Sequence, residues 1–309
     1  ISKKGNHDVI RVAEVLHALF YTPQFVAIHL GSFEEEGLQI ELMTANDGRL
    51  VIEQLLKGEA DIGLSGPMRT LKLADESDQD RLINFIEVNS LNGFFLLSRT
   101  PKENFQWGDL VGKTLIEFAE APTPWLCLQY VLKKNGLDPS SVNVIRDLKT
   151  PQALEAFRSG RADYMEQSQP ATELLLQEGS AHLVASMGEV IGLLPFSAYV
   201  ATPQFLENHR HLAERFTRAV YKAQQWLASH SAQEISTLIA PSFPDIDPSI
   251  RQRAIERYQQ QGTWAKDPLL RQPGFDYLQE ILLTGQFIRR KFEYRELVDD
   301  ELARKVVEM

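Results

Sequence analysis

The sequence predicts an α/β protein of two lobes, each a mostly parallel sheet covered by helices, with an all-helical C-terminal extension. Three observations predict it. Short apolar runs alternate with helix-period stretches from Val9 to Val200, the βαβαβ pattern of a parallel sheet sheathed in helices. One ten-residue unit occurs twice, as Gly58-Glu59-Ala60-Asp61-Ile62-Gly63-Leu64-Ser65-Gly66-Pro67 and as Phe157-Arg158-Ser159-Gly160-Arg161-Ala162-Asp163-Tyr164-Met165-Glu166, the second closing at Pro170. From Thr202 to Met309 the apolar spacing is almost wholly helical.

The repeated unit sets the expected site. A helix packed through Leu55 and Leu56 stops at Gly58, and Asp61 to Leu64 is a short buried strand. Ser65-Gly66-Pro67 is then a bare turn whose proline suits the first position of another helix. Such a turn leaves backbone N–H groups free at the carboxyl end of a strand, where ligands bind in open α/β sheets. Each half therefore offers one turn to a shared cleft.

Taken in order, Val9 to Val15 alternates as a strand, and Thr22-Pro23 reads as a cap and first-turn proline for a helix carried by Phe25, Val26, Leu30 and Phe33. Gly37 ends that helix, and Leu38 to Thr44 is the next strand. Asn46-Asp47-Gly48 caps a helix with Leu50, Val51, Leu55 and Leu56 on its inner face. Leu82 to Val88 is a strand broken by Asn89-Ser90-Leu91-Asn92-Gly93, after which Phe94 to Leu97 is extended. The polar segment from Arg99 to Asn104 reads as a crossing, after which the pattern restarts. Thr114 to Phe118, Val142 to Ile145 and Leu183 to Ala185 are strands, and Pro124 to Lys134, the Thr150-Pro151 segment and Ala171 to Gln177 are helices. Thr202-Pro203 opens the helical C-terminal third. Residues 99–197 hold a complete α/β pattern, whereas 1–98 do not supply their covering helices in full and 198–309 supply helices without strands. Residues 1–98 and 198–309 are thus expected to form one lobe and 99–197 the other, with hinge crossings near 94–99 and 197–202.

Composition excludes several functions. The 309 residues carry 42 acidic and 32 basic side chains, a formal net charge of −10, and no long basic run, which argues against nucleic acid. A single cysteine, Cys127, rules out an intrachain disulfide and a cysteine-based zinc cluster. His209 and His211 are two apart on a helix and cannot face one metal. There is no phosphate-cradling Gly-x-x-x-x-Gly-Lys-Ser/Thr, no Gly-x-Gly-x-x-Gly and no nucleophile elbow. No metal, cofactor or catalytic residue is expected.

Phe20-Tyr21-Thr22-Pro23 through Gly31-Ser32-Phe33-Glu34-Glu35-Glu36-Gly37-Leu38 resembles a segment typical of the substrate-binding proteins of bacterial ABC importers, in the group for alkanesulfonates, taurine and thiamine-pyrimidine precursors. Lys57-Gly58-Glu59-Ala60-Asp61-Ile62-Gly63 and Gly112-Lys113-Thr114-Leu115 resemble two further hallmarks of it. The likeness covers most of the chain to about residue 205. It implies the two-lobed (type II) periplasmic-binding-protein fold and a small-molecule ligand delivered to a membrane permease by a monomeric protein. It also implies a periplasmic or extracytoplasmic location. The start at Ile1 without Met is compatible with a removed leader or a lipid anchor ahead of it.

One departure shapes the expected ligand. Where the family commonly has a Gly- and Thr-rich turn suited to an anion, this chain reads Phe118-Ala119-Glu120-Ala121-Pro122-Thr123-Pro124. Two prolines delete N–H donors and Glu120 adds negative charge, with Glu166 in the matching turn of the second unit. Carboxylates accept from amino and ring N–H groups, and Phe20, Tyr21, Phe118, Trp125 and Tyr164 offer stacking surfaces. A thiamine-type aminopyrimidine fits best, with a sulfonate as the alternative. Ser65, Gly66, Asp47, Asn89, Ser90 and Asn92 complete the expected contacts. Structural roles compete with these: Asp47 as a helix cap, Tyr21 as a helix cover, Glu120 and Glu166 as surface charges, and Trp125 as core. The rival from another class is an enzyme like the fungal thiamine-pyrimidine synthase, whose cysteine-rich iron-binding segment this chain cannot supply.

Overall fold

A computed structural model describes residues 1–309, with 126 of them buried. Eleven strands form two sheets. The first contains β1 (Ser2–Lys4), β2 (His7–Glu14), β3 (Leu38–Thr44), β4 (Ile62–Ser65), β5 (Ile83–Asn89) and β11 (Ser197–Ala201). Here β3 and β4 flank β2 in parallel, and β11 lies antiparallel between β4 and β5. The second contains β6 (Phe95–Ser98), β7 (Thr114–Ile116), β8 (Asn143–Ile145), β9 (Tyr164–Gln167) and β10 (His182–Ser186), in the order β10-β6-β9-β7-β8. The two returning strands, β6 and β11, belong to opposite sheets, so the chain crosses between them at 90–94 and again at 187–196. Phe95–Ser98, grouped with the first lobe by the apolar pattern, pairs into the second sheet. Only a partner strand distinguishes the two, because β6 is apolar on both faces.

Caps show where local chemistry governs. Asp47 accepts from the Arg49 backbone N–H at 2.8 Å and opens helix Gly48–Leu56, as its position suggests. Thr202 does the same for helix Pro203–Asn208 through Phe205 N–H at 3.1 Å. Thr22 and Thr150 do not cap. Each lies inside its helix, and the Thr22 hydroxyl donates back to the Leu19 carbonyl at 2.6 Å. Gly58 has φ +69°, the left-handed turn that ends the helix before β4.

The C-terminal helices touch both lobes. Helix Arg210–Ser229 covers the first sheet, its buried Phe216 ring lying 4.9 Å from both Phe33 and Tyr199. Burying a ring of that size contributes about 1.5–3 kcal/mol. Helix Gln272–Thr284 instead packs Phe275, Leu278 and Ile281 into one core with Met68 and Leu71 of the first lobe and Leu126 and Leu128 of the second. Helix Pro248–Gln261 reaches the second lobe through the Tyr258 hydroxyl, which accepts from Gln169 N–H at 3.2 Å and donates to the Gly93 carbonyl at 3.1 Å. The segment expected to cover one lobe thus joins the two. Its apolar faces were legible, and their partners were not. No helix is long and apolar enough to cross a membrane.

Candidate functional site

Four loops that follow parallel strands enclose a cleft of about 490 Å³ between the sheets. Asn46, Asp47 and Arg49 follow β3, and Arg69 stands on the first turn of helix Pro67–Glu76 after β4. Phe118 to Pro122 follow β7, and Arg146, Asp147 and Lys149 follow β8. These are the carboxyl ends at which open α/β sheets bind ligands, and four helix N-termini lie behind them.

The charge of the cleft differs from the sequence expectation. Arg49, Arg69, Arg146 and Lys149 line it against Asp47, Glu120 and Asp147. Asp47 is engaged, and Glu120 is engaged through Oε1 with its Oε2 unpartnered. Asp47 accepts from the Arg49 side chain at 2.9 Å, which holds its carboxyl below the usual range. Glu120 accepts from Thr150 N–H at 2.7 Å and from the Thr150 hydroxyl at 3.0 Å, binding the start of helix Thr150–Arg158. Arg69 is the opposite case. Its half-buried guanidinium makes no hydrogen bond or ion pair, and burial, its largest perturbation, lowers its pKa. It lies so close to Gly48 that a Cβ there would sit 2.1 Å from Nε. Such a cation stays charged and retains its full fork of donors for a ligand.

The other predicted residues divide by position. Phe118 lines the cleft, and ring contacts run from it edge-to-face to Phe94 (4.9 Å), on at a tilt to Phe196 (6.2 Å from Phe94) and edge-to-face to Phe20 (5.6 Å from Phe196). Tyr21 is buried beside Phe20. The Phe20 carbonyl accepts from Asn89 Nδ2 at 3.1 Å and Trp264 Nε1 at 3.0 Å. Ser65 ends β4 with its hydroxyl buried and unpartnered, and Gly66 lets the chain pass the Phe196 carbonyl. Ser90 bonds Glu87, and Asn92 accepts from Phe94 N–H at 2.8 Å with its amide nitrogen unpartnered. Trp125 belongs to the core beneath Arg146, whose guanidinium lies 5.8 Å from its ring. Tyr164 opens β9 and packs toward Phe105 at 6.1 Å, at the strand end away from the cleft loops. Glu166 lies within β9 rather than in a turn, fully buried beside Glu117. The period-two pattern of Tyr164-Met165-Glu166-Gln167 is that of a strand, and its register sets Tyr164 at the amino end and Glu166 inside the sheet beside Glu117. Arg69 escaped the sequence reading, although the first turn after Ser65-Gly66-Pro67 was the place to look for a side chain facing the same cleft.

Behind the first wall lies a buried network. Glu14, at the end of β2, accepts from Gln24 Nε2 at 2.8 Å and the Thr44 hydroxyl at 2.7 Å, and His17 Nδ1 lies 2.8 Å away. The Tyr199 hydroxyl donates to Gln24 Oε1 at 3.0 Å. His17 Nε2 meets the Ser242 carbonyl at 2.8 Å, so both ring nitrogens face acceptors and the imidazolium is favoured. The Glu14 bond, foremost, raises the His17 pKa above its ordinary 6.5. A raised folded-state value means that His17 contributes its stability in full below about pH 6.5 and loses it as pH rises through the folded value. His17→Gln is therefore expected to flatten the decline in melting temperature between pH 6 and pH 8, by a modest amount because the ring is partly exposed. An unchanged slope in pH-dependent thermal melts would contradict this.

The family described as NMT1/THI5 like matches residues 20–234. "Putative binding protein YtlA" of Bacillus subtilis (strain 168) is 35% identical over 298 residues, covering 96% of this chain and 89% of that protein. Among solved structures, the alkanesulfonate-binding protein SsuA from Xanthomonas axonopodis pv. citri, bound to MOPS, superposes with a TM-score of 0.74 at 17% identity, over 96% of this chain and 100% of that one. The desulfurization enzyme DSZB superposes with a TM-score of 0.73 at 14% identity, over 98% and 99%. With two helix-covered sheets facing each other across a cleft, this chain belongs to the NMT1/THI5-like family and has the fold of the periplasmic substrate-binding proteins.

Proposed function

We propose that the protein is the extracytoplasmic solute-binding component of an ABC importer, and that it captures a small organic anion bearing an aromatic or heteroaromatic ring. The observation that carries the reading is Arg69, a half-buried guanidinium without a partner in a cleft that also holds Arg146 and Lys149. The ring of Phe118 in the same wall supplies an apolar surface. The aminopyrimidine favoured by the sequence rested on Glu120 and Glu166 as free acceptors. Glu120 is tied to Thr150 through Oε1 alone, its Oε2 unpartnered, and Glu166 lies outside the cleft lining; with Arg69, Arg146 and Lys149 facing the cleft, a sulfonate, carboxylate or phosphate ester is the better fit.

Binding without turnover is supported by the chemistry of the only thiol. Cys127 is buried, and desolvation raises its pKa, which disfavours the nucleophilic thiolate. The resemblance to YtlA supports the same side, and the enzyme DSZB shares the fold alone. Calorimetry with benzenesulfonate, phenyl phosphate, benzoate and the neutral 4-amino-5-hydroxymethyl-2-methylpyrimidine tests the proposal. One-to-one binding of an anion, tighter than binding of the neutral pyrimidine, is expected. Binding of the pyrimidine alone would restore the thiamine-precursor reading, and binding of none would remove the anion reading.

A further inference from the structure

Glu117 and Glu166 stand side by side on one face of the second sheet. β7 and β9 are parallel with Ile116 opposite Met165, so the register sets Glu117 and Glu166, the next residue of each strand, beside each other. Glu117 is 1% exposed and Glu166 is fully buried. Glu117 Oε2 and both oxygens of Glu166 have no donor, and no arginine or lysine forms an ion pair with either. Two neighbouring carboxylates buried without a cation cannot both stay ionised in a dry interior. Burial, then each other's charge, raises Glu166 well above its ordinary value, and burial raises Glu117 to about 8.

The groups facing the pair are few. From helix Thr123–Lys134 comes Cys127, itself held neutral by burial and by the two acids. Asn92, in the first crossing, faces Cys127. From the loop after β8, Arg146 exerts a distant attraction on Glu117. From helix Gln272–Thr284, Tyr277 faces Cys127 while its hydroxyl donates to the Ile191 carbonyl at 3.1 Å. On the cleft side, Phe118 N–H donates to Glu117 Oε1 at 3.1 Å. The pair therefore touches the first residue of the turn that forms one cleft wall.

We propose that Glu117 and Glu166 hold a single proton between them, and that this shared proton positions the Phe118 turn. When the proton leaves, two adjacent charges repel across the β7–β9 edge, and Glu117 Oε1 no longer keeps its place beneath Phe118. The cleft wall then loosens in alkaline solution whatever ligand it takes.

The sign follows from linkage. A carboxyl group with a raised folded-state value binds more protons folded than unfolded between its ordinary 4.5 and that raised value. Stability therefore falls across this window as pH rises. Glu166→Gln replaces the shared proton with a permanent amide donor and removes that dependence. Melting temperatures of the wild type and of E166Q are expected to agree near pH 5, and E166Q is expected to exceed the wild type by roughly 2–4 °C at pH 8.5. The contribution of His17 cancels in this comparison. The wild type should show the infrared carbonyl band of a protonated carboxyl group at pH 7, lost in E166Q. The Phe118 amide resonance should shift with pH in the wild type only. A difference in melting temperature that does not grow with pH overturns the proposal. So does the absence of the carboxylic-acid band, or a Phe118 amide that titrates identically in both proteins. Should E166Q fold poorly, E117Q supplies the same three readouts.

Discussion

Replacing Arg69 with glutamine is expected to weaken benzenesulfonate binding by roughly 10- to 100-fold without lowering the melting temperature. The first half follows from the strength of a charge-assisted hydrogen bond, about 1.5–3 kcal/mol, where about 1.4 kcal/mol is a factor of ten. The second half follows from burial. The guanidinium has no protein partner, so its desolvation is a cost to the unliganded fold that glutamine relieves. Arg69→Lys should fall between the two, because an ammonium keeps the charge but loses the planar fork. Isothermal titration calorimetry beside thermal melts checks both halves. If R69Q binds benzenesulfonate as the wild type does, Arg69 is not the anion anchor. If R69Q melts well below the wild type, Arg69 is a structural residue after all.

The largest stability effect is expected at Glu14. This carboxyl group is fully buried and joins β2, β3 and helix Thr22–His29 through Thr44, Gln24 and His17. Glu14→Ala leaves a buried amide and a hydroxyl without acceptors and strands His17 against a cavity. Its cost is about 3–5 kcal/mol, the range for removing one member of a buried polar network. Urea unfolding followed by circular dichroism measures it. Glu14→Gln keeps one acceptor and the side-chain volume and should lose about half as much. Equal losses in the two variants would show that the carboxylate itself, rather than side-chain volume or one remaining acceptor, holds the site together.

These predictions rest on residues that the sequence displayed unequally. Asp47 and Thr202 announced their caps because a cap is a contact across two or three residues. Most strands were legible within a residue or two of their observed limits, since apolar alternation is local; β1 and β9 were not. Phe118 and Glu120 line the cleft, because the strand-turn-helix order puts that turn at a carboxyl edge. The charge of the cleft was not legible. Glu120 looked free until Thr150, thirty residues on, came to occupy its Oε1, and Arg69 looked like one more surface cation on an amphipathic helix.

The sequence by itself determined the α/β class, the two copies of a helix–strand–turn unit, the helical C-terminal third and the exclusion of an intrachain disulfide and a cysteine-based zinc cluster. Each depends on spacing within about twenty residues, where periodicity and turn chemistry act. The tertiary structure alone decided which sheet takes β6, that helix Gln272–Thr284 joins the lobes, that Glu166 meets Glu117, and that Arg69 is left unpaired. Those are statements about partners at long range. A side chain's charge, burial and donors acquire their chemical meaning only when folding has settled which groups are within reach and which remain free for a ligand.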